Sequence, residues 1–376
     1  MKIIIAPDSF KGSLSSRQVC ELVAEVVCAR FPDCQTVKLP MADGGEGTLS
    51  AVLSCCSGQM VQAVVHDPDM KPITAVYGLL DDNTAVIESA QASGLGLIDI
   101  VQSNPLDRSS YGTGELIKAA LEKGCKNIIV TLGGSATNDG GLGALAALGV
   151  KFYDAKRNEL EPLPKNLGQI YRINSNGLCP LVKESRFTIW CDVTNPLYGQ
   201  AGATRIFGPQ KGLKPPQIAF VENAMQNYAR LLNRQINGDI NERKGTGAAG
   251  GLGAALAVFL HEQIKQGAEE LLQLTNFDIL LNNADLVITG EGRADRQSLS
   301  GKVVGAVARH AKKKNIPVVA VVGSLGEEAK MLYQEGVTDF VSLSEQTSEL
   351  ADAINNAELF LKQALDKYFL TYNSRL

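Results

Sequence analysis

Histidine is scarce in this chain, with three residues in 376, and aromatic residues make up only 6%. His66, His261 and His310 fall outside every glycine-rich or acidic stretch described below, so a histidine-based catalytic triad has little to build on. Cysteine occurs eight times, at Cys20, Cys28, Cys34, Cys55, Cys56, Cys125, Cys179 and Cys191. None of these forms a CxxC pair, and no Cys/His cluster has zinc spacing. Scattered thiols of this kind read as reduced cysteines in a cytoplasmic protein. No apolar run approaches the ~20 residues that span a bilayer. The opening stretch Met1–Asp8 is too short for a secretory signal and reads as a first strand. Neither sign of charge dominates: 36 Lys plus Arg face 40 Asp plus Glu, a net charge of −4. That balance gives no electrostatic case for nucleic acid or an anionic membrane as partner.

Glycine, by contrast, is abundant, with 37 residues against a usual share near ~7%. With 45% apolar residues a large core is available and disorder is excluded. A Gly-rich, aromatic-poor chain of this size is expected to be an α/β enzyme with several backbone-lined loops.

The apolar pattern has one grammar at both ends and another in the middle. Lys2–Ala6 and Thr36–Met41 read as strands, each followed by a helix; the first helix runs to about Arg30, with Val19, Leu22, Val23, Val26 and Val27 at helical spacing. After Gly58, three short strands (Val61–Val65, Ile73–Leu79, Thr84–Ser89) are separated by turn signals and suit an antiparallel meander. Further on, Asn127–Leu132 and Arg186–Cys191 read as strands, and residues 251–265 as helical. The last third alternates again: strands Asp285–Thr289, Val318–Val322 and Phe340–Leu343, each followed by a helix, the last from Glu349 to about Leu370. Such alternation implies a parallel sheet. The expected fold class is α/β with two different domains. Residues 1–62 with 285–376 would form a flavodoxin-like parallel sheet from both chain ends. Residues 63–284 would form an inserted mixed α/β domain.

Chemistry-bearing residues gather at the expected strand ends, which face the ligand crevice in open α/β sheets. The first strand leads into Asp8, Lys11 and a helix N-terminus, a combination that favours anions. The second leads into Asp43-Gly44-Gly45-Glu46-Gly47. After Asn127–Leu132 comes Gly133-Gly134-Ser135-Ala136-Thr137-Asn138-Asp139-Gly140-Gly141: strand, Gly-rich loop, helix, the architecture of a phosphate cradle, though a tight structural loop reads the same way. No Walker A sequence occurs, and Gly301-Lys302 lacks the flanking residues of one. Gly245–Gly250 satisfies GxGxxG but follows a polar segment rather than a strand, a poor context for a dinucleotide site. Asp192 ends the strand Arg186–Cys191, and its loop continues to Lys211. Thr289–Ser298 gathers Glu291, Arg293 and Asp295. Acids, cations and glycines without a reactive thiol or serine motif favour positioning phosphates and a metal over covalent catalysis.

These stretches, APDSFKGS at 6–13, ADGGEGT at 42–48, GTGEL at 112–116, GGSATNDGG at 133–141, CDVTNPL at 191–197, FGPQKG at 207–212, GAAGGLGAAL at 247–256 and TGEGRADRQS at 289–298, resemble in order the motifs of type I (bacterial) glycerate kinases. The resemblance implies ATP-dependent, Mg²⁺-assisted phosphorylation of D-glycerate in a crevice between two domains, with 2-phosphoglycerate favoured over 3-phosphoglycerate. Either a homodimer or a monomer is compatible with the sequence. On this reading Asp192 and Asp43 are the first candidates for proton acceptor. Asp8, Glu291 and Asp295 follow as bases or Mg²⁺ ligands, with Asp192 also a candidate ligand. Lys11 and Arg293 are expected to grip the carboxylate or the γ-phosphate. Gly133, Gly134, Ser135, Thr137, Asn138 and Lys211 are expected to line the ATP site. Two other readings compete from the residues alone: an NAD-dependent oxidoreductase using Gly245–Gly250, and a non-catalytic sugar-acid sensor.

Overall fold

The apolar run at the start of the chain forms strand β1 (Lys2–Pro7), with Ile3, Ile4 and Ile5 fully buried. Burial of consecutive side chains is what a strand covered on both faces requires. The computed structural model of the protein describes residues 1–299, 302–345 and 349–372. Strand β2 (Gln35–Lys38) follows β1, then β3 (Gly58–His66), β4 (Pro72–Leu80) and β5 (Thr84–Glu88). Next come β6 (Asn127–Thr131), β7 (Lys151–Tyr153), β8 (Arg172–Asn174), β9 (Arg186–Trp190) and β10 (Ile264–Lys265). Strands β11 (Leu286–Ala294), β12 (Val318–Leu325) and β13 (Asp339–Ser342) close the set.

The chain divides into two compact units. One contains Met1–Asp43, Ser50–Cys56 and the chain from Gln266 onward; the other contains Gly44–Leu49 and Ser57–Lys265.

The first unit holds a five-stranded, all-parallel sheet in the order β13-β12-β11-β1-β2. Counted along its own strands the order is 2-1-3-4-5, the flavodoxin-like doubly wound arrangement, with its switch point between β1 and β11. The helix Ser16–Arg30 covers one face. Ser15 caps it: its hydroxyl accepts from the Gln18 N–H at 3.3 Å, and the Gln18 side chain accepts from the Ser15 N–H at 2.9 Å. This reciprocal box satisfies two orphan donors at the helix start. Val19, Leu22, Val23, Val26 and Val27 are all buried, packed in one core with Ile3, Ile288, Val321, Leu365 and Phe369.

The second unit holds a six-stranded sheet in the order β10-β9-β6-β5-β4-β3. Strands β3, β4 and β5 are antiparallel neighbours, while β5, β6, β9 and β10 run parallel. A separate antiparallel pair joins β7 to β8. Among the described residues no helix is long and apolar enough to cross a membrane.

Four expected elements differ from the structure. The strand expected at Thr36–Met41 runs over Gln35–Lys38 and stops three residues short. Residues 251–265 are helical only over Leu252–Phe259, and Ile264–Lys265 is strand β10 beside β9. His261, at φ 57°, takes the left-handed conformation that ends helices. The final helix is two, Leu350–Asn355 and Ala357–Tyr372. The stretch expected to be a loop after Thr289 remains strand through Ala294. Its glycines permit this: a Cβ on Gly290 would lie 2.2 Å from the Val321 carbonyl oxygen, and one on Gly323 would lie 2.4 Å from that of Gly292.

Candidate active site

In the five-stranded unit a cleft of about 520 Å³ opens at the C-terminal ends of β1, β11, β12 and β13. Asp8, one residue beyond β1, and Glu291, within β11, stand on the two strands of the switch point. Asp43, Lys11, Arg293, Asp295 and Lys302 also line it.

Asp8 is 7% exposed, and its carboxylate accepts the Ser9 N–H at 2.6 Å. Burial, reinforced by the neighbouring charge of Asp43, pushes its pKa up to about 7. Burial likewise pushes Glu291 up to about 7, against the opposing effects of a Ser298 hydrogen bond and the Lys302 charge. Glu291 Oε1 meets no hydrogen-bond partner among the described residues. Lys11 Nζ stands 3.9 Å from Asp43 Oδ2 with its side chain 77% exposed. An exposed pair at that distance is weak, so the ammonium is available to an arriving anion. Arg293 Nε lies 3.8 Å from Asp295 Oδ2. No histidine lines the cleft among the described residues.

In the six-stranded unit the loop Gly133–Gly141 follows β6, and Asp192 lies just past the end of the adjacent parallel strand β9. Gly133 is required by contact: a Cβ there would sit 2.1 Å from the Cα of Gly45, so two glycine-rich turns meet backbone to backbone. Gly134, at φ 67°, is exposed and forms the open crown of the loop.

Beneath it, Lys211 is 3% exposed and donates from Nζ to Ser135 Oγ at 2.8 Å and to the Thr137 carbonyl at 2.7 Å. Burial lowers the lysine's pKa to about 7. The buried Asp139 carboxylate accepts from the Ser110 N–H and hydroxyl and from the N–H groups of Gly141 and Gly143, all within 2.8–3.1 Å. Asn138 Nδ2 donates to Thr204 Oγ1 at 3.0 Å. Thr137 Oγ1 and Asn138 Oδ1 are buried without a partner among the described residues.

Gly245–Gly250 follows the 3₁₀ turn Ile240–Glu242 rather than a strand. A Cβ on Gly250 would fall 2.2 Å from the Thr137 carbonyl oxygen, and the Gly250 carbonyl accepts the Gly140 N–H at 2.9 Å. The segment therefore supports the loop from behind and lacks the context of a dinucleotide fingerprint.

The structure thus sorts the sequence candidates by unit. Asp8, Lys11, Asp43, Glu291, Arg293 and Asp295 share one cleft. Gly133, Gly134, Ser135, Thr137, Asn138 and Lys211 share one loop and its support, and Asp192 belongs to their unit. Asp192 is therefore in a different unit from Glu291 and Asp295, with which it was grouped as a metal ligand.

Three residues with a part in these sites escaped the sequence reading. Glu88, 2% exposed at the end of β5, accepts the N–H groups of Gly47 at 3.2 Å and Leu49 at 3.0 Å. Arg108 is fully buried and donates from Nη1 to the Lys211 carbonyl. Lys302, set aside with its unmatched Walker-like dipeptide, lines the cleft. The only local signal for Glu88 is an acid closing an apolar strand.

Among the described residues no cluster of three or more His, Cys, Asp or Glu side chains could hold a metal alone. The crowded acids of the cleft, with the unpartnered Glu291 Oε1, nevertheless fit Mg²⁺. That ion takes oxygen ligands and is commonly held by one or two carboxylates together with substrate phosphates and water.

A doubly wound sheet with acids and cations at its switch point, in a chain whose second unit carries a glycine cradle, is the equipment of a phosphotransferase. Comparison with known proteins makes the class specific. The model of the glycerate kinase family matches residues 3–373. Glycerate 2-kinase of Escherichia coli (strain K12) is 43% identical over 358 residues, covering 95% of this chain and 94% of its own. Glycerate kinase of Bacillus subtilis (strain 168) is 39% identical over 364 residues, covering 96% and 95%. A crystal structure from Salmonella typhimurium LT2, provisionally named glycerate kinase 2, superposes with a TM-score of 0.85 at 39% identity, covering 100% of this chain and 98% of that one. The chain belongs to the glycerate kinase family, and it is an enzyme.

Proposed function

We propose that this enzyme transfers the γ-phosphoryl group of ATP to D-glycerate, forming 2-phosphoglycerate. The observation that carries this reading is the cleft of the five-stranded unit, where buried acids and solvent-facing cations meet at the sheet's switch point. Full-length similarity to a protein named glycerate 2-kinase supports both the substrate and the position of transfer.

In this reading Asp8 accepts the proton of the attacking hydroxyl, since it is a buried carboxylate with few hydrogen bonds to hold it ionised. Lys11 and Arg293 pair with the substrate carboxylate or the moving phosphoryl group, supplying fixed positive charge where negative charge must be tolerated. Glu291 and Asp295 would hold Mg²⁺, which screens phosphate charge when bound. The crown at Gly133 and Gly134 turns backbone toward an anionic group, with Ser135, Thr137, Asn138 and Lys211 fixing the loop's shape.

The test is a coupled assay with ATP, Mg²⁺ and D-glycerate, with the product read directly by enolase, which accepts 2-phosphoglycerate. Signal that depends on ATP and on the D-enantiomer is expected. Signal appearing only after a phosphoglycerate mutase is added would reassign the product to 3-phosphoglycerate. No ADP formation at millimolar D-glycerate would sink the reading.

A further inference from the structure

The cleft is larger than the acid that the proposed reaction phosphorylates. A three-carbon acid displaces only a handful of water-sized groups at ~30 Å³ each, against about 520 Å³ of cleft. Cavities of several hundred Å³ usually hold ligands of much greater size, against mostly apolar walls with a few polar groups.

The cleft has that two-sided character. Its charged end holds Asp8, Lys11 and Glu291. Its apolar lining comes from Phe10 after β1, Leu343 after β13, and Ala353, Ile354 and Ala357 near the break between the last two helices, with Ser344 and Glu349 as polar groups on the same segments. Ile354 is 36% exposed, an apolar side chain left open to solvent on a cleft wall. A three-carbon acid has no apolar surface to match that wall, whereas a purine base has two flat apolar faces and a polar edge.

Resting on the ATP-dependent reading above, we infer that this apolar wall seats the purine nucleoside of the phosphoryl donor. The five-stranded unit then recognises the base, while the Gly133 loop is left an anionic group to bind. The placement agrees with the general behaviour of doubly wound sheets, whose ligands lie beyond the strand ends at the switch point.

Two measurements test it. Ile354→Glu sets a charge against the base on a helix already open to solvent. The KM for ATP is expected to rise about tenfold, the scale of one lost apolar contact, while the KM for D-glycerate stays within twofold. Photolabelling of the parent enzyme with 8-azido-ATP is expected to mark Phe10, Leu343 or the stretch 353–357, with protection by unlabelled ATP. An unchanged KM for ATP in Ile354→Glu, or label confined to Gly133–Gly141, would overturn the inference while leaving the kinase reading intact. Labelling of the cleft in a protein that phosphorylates no glycerate would support the nucleoside site and remove the proposed substrate instead.

Discussion

At Asp8 a carboxylate is held out of water with one backbone N–H bond and a second acid near it. Such a group keeps its proton longer than an exposed aspartate, the setting in which acids and bases of catalysis are commonly found. Asp192 occupies a comparable place in the other unit, one strand over from the glycine loop. The two can be separated by mutation. Asp8→Asn is expected to lower kcat by about 10²-fold or more, the scale of a lost proton-transfer group. Lys11→Ala should cost a similar factor through lost charge stabilisation. Both variants should keep the parent's circular dichroism. If Asp192→Asn shows the large loss and Asp8→Asn stays within threefold of the parent, the proton acceptor belongs to the six-stranded unit and the assignment made above is wrong.

At the scale of elements, helix Val303–Lys312 is tied to its neighbours by an ionic cluster. His310 Nε2 lies 3.0 Å from Glu269 Oε2, and Nδ1 lies 2.7 Å from Asp278 Oδ1. Arg309 bonds Glu269 at 2.8 Å and Glu335 at 3.2 Å. The bond to Glu269 raises the histidine's pKa above its usual 6.5, and the bond from His310 lowers Glu269 from 4.5 to about 2. The raised histidine contributes stability that is complete below 6.5 and fades as pH climbs through its folded value. The lowered glutamate contributes above 4.5 and loses its effect as pH falls toward 2. The cluster is therefore at full strength between about 4.5 and 6.5. The melting-temperature gap between the parent and His310→Gln should be widest in that window and narrow toward pH 9. A gap that widens toward pH 9 would show that the variant acts through packing.

The elements whose signal is local are legible in the sequence. The apolar run of β1, the valine spacing of the first helix and the turn-separated meander β3-β4-β5 all follow from neighbouring residues. The end-to-end parallel sheet is legible too, because the same strand–helix alternation recurs at both termini. The full length of β11 was not legible, since two glycines among five residues normally weaken a strand; here a Cβ on Gly290 would meet the Val321 carbonyl oxygen of β12, and one on Gly292 would meet the backbone of Phe10 and Lys11. Glu88 and Arg108 were illegible for another reason. Their partners lie 41 and 103 positions away, at Gly47 and Lys211, and no window of sequence contains both ends of such a bond.

For the whole molecule, the pairing of Ala6 with Thr289, 283 positions apart, sets a timetable for synthesis. At ~5–20 residues per second a ribosome needs roughly 15–60 s to make that interval. Throughout it, β1 lacks its neighbour on one side and the helix Ser16–Arg30 lacks much of its core. The strands of the six-stranded sheet are all made within that wait. Nascent chains halted before Leu286 are therefore expected to lose residues 1–43 quickly to a dilute protease while the stretch around β5, β6 and β9 resists. Chains carried past Ser342 should protect both. Early protection of residues 1–43 in the halted chain would mean that β1 finds a temporary partner. Otherwise the newborn N-terminus is the part of this enzyme that depends most on chaperones.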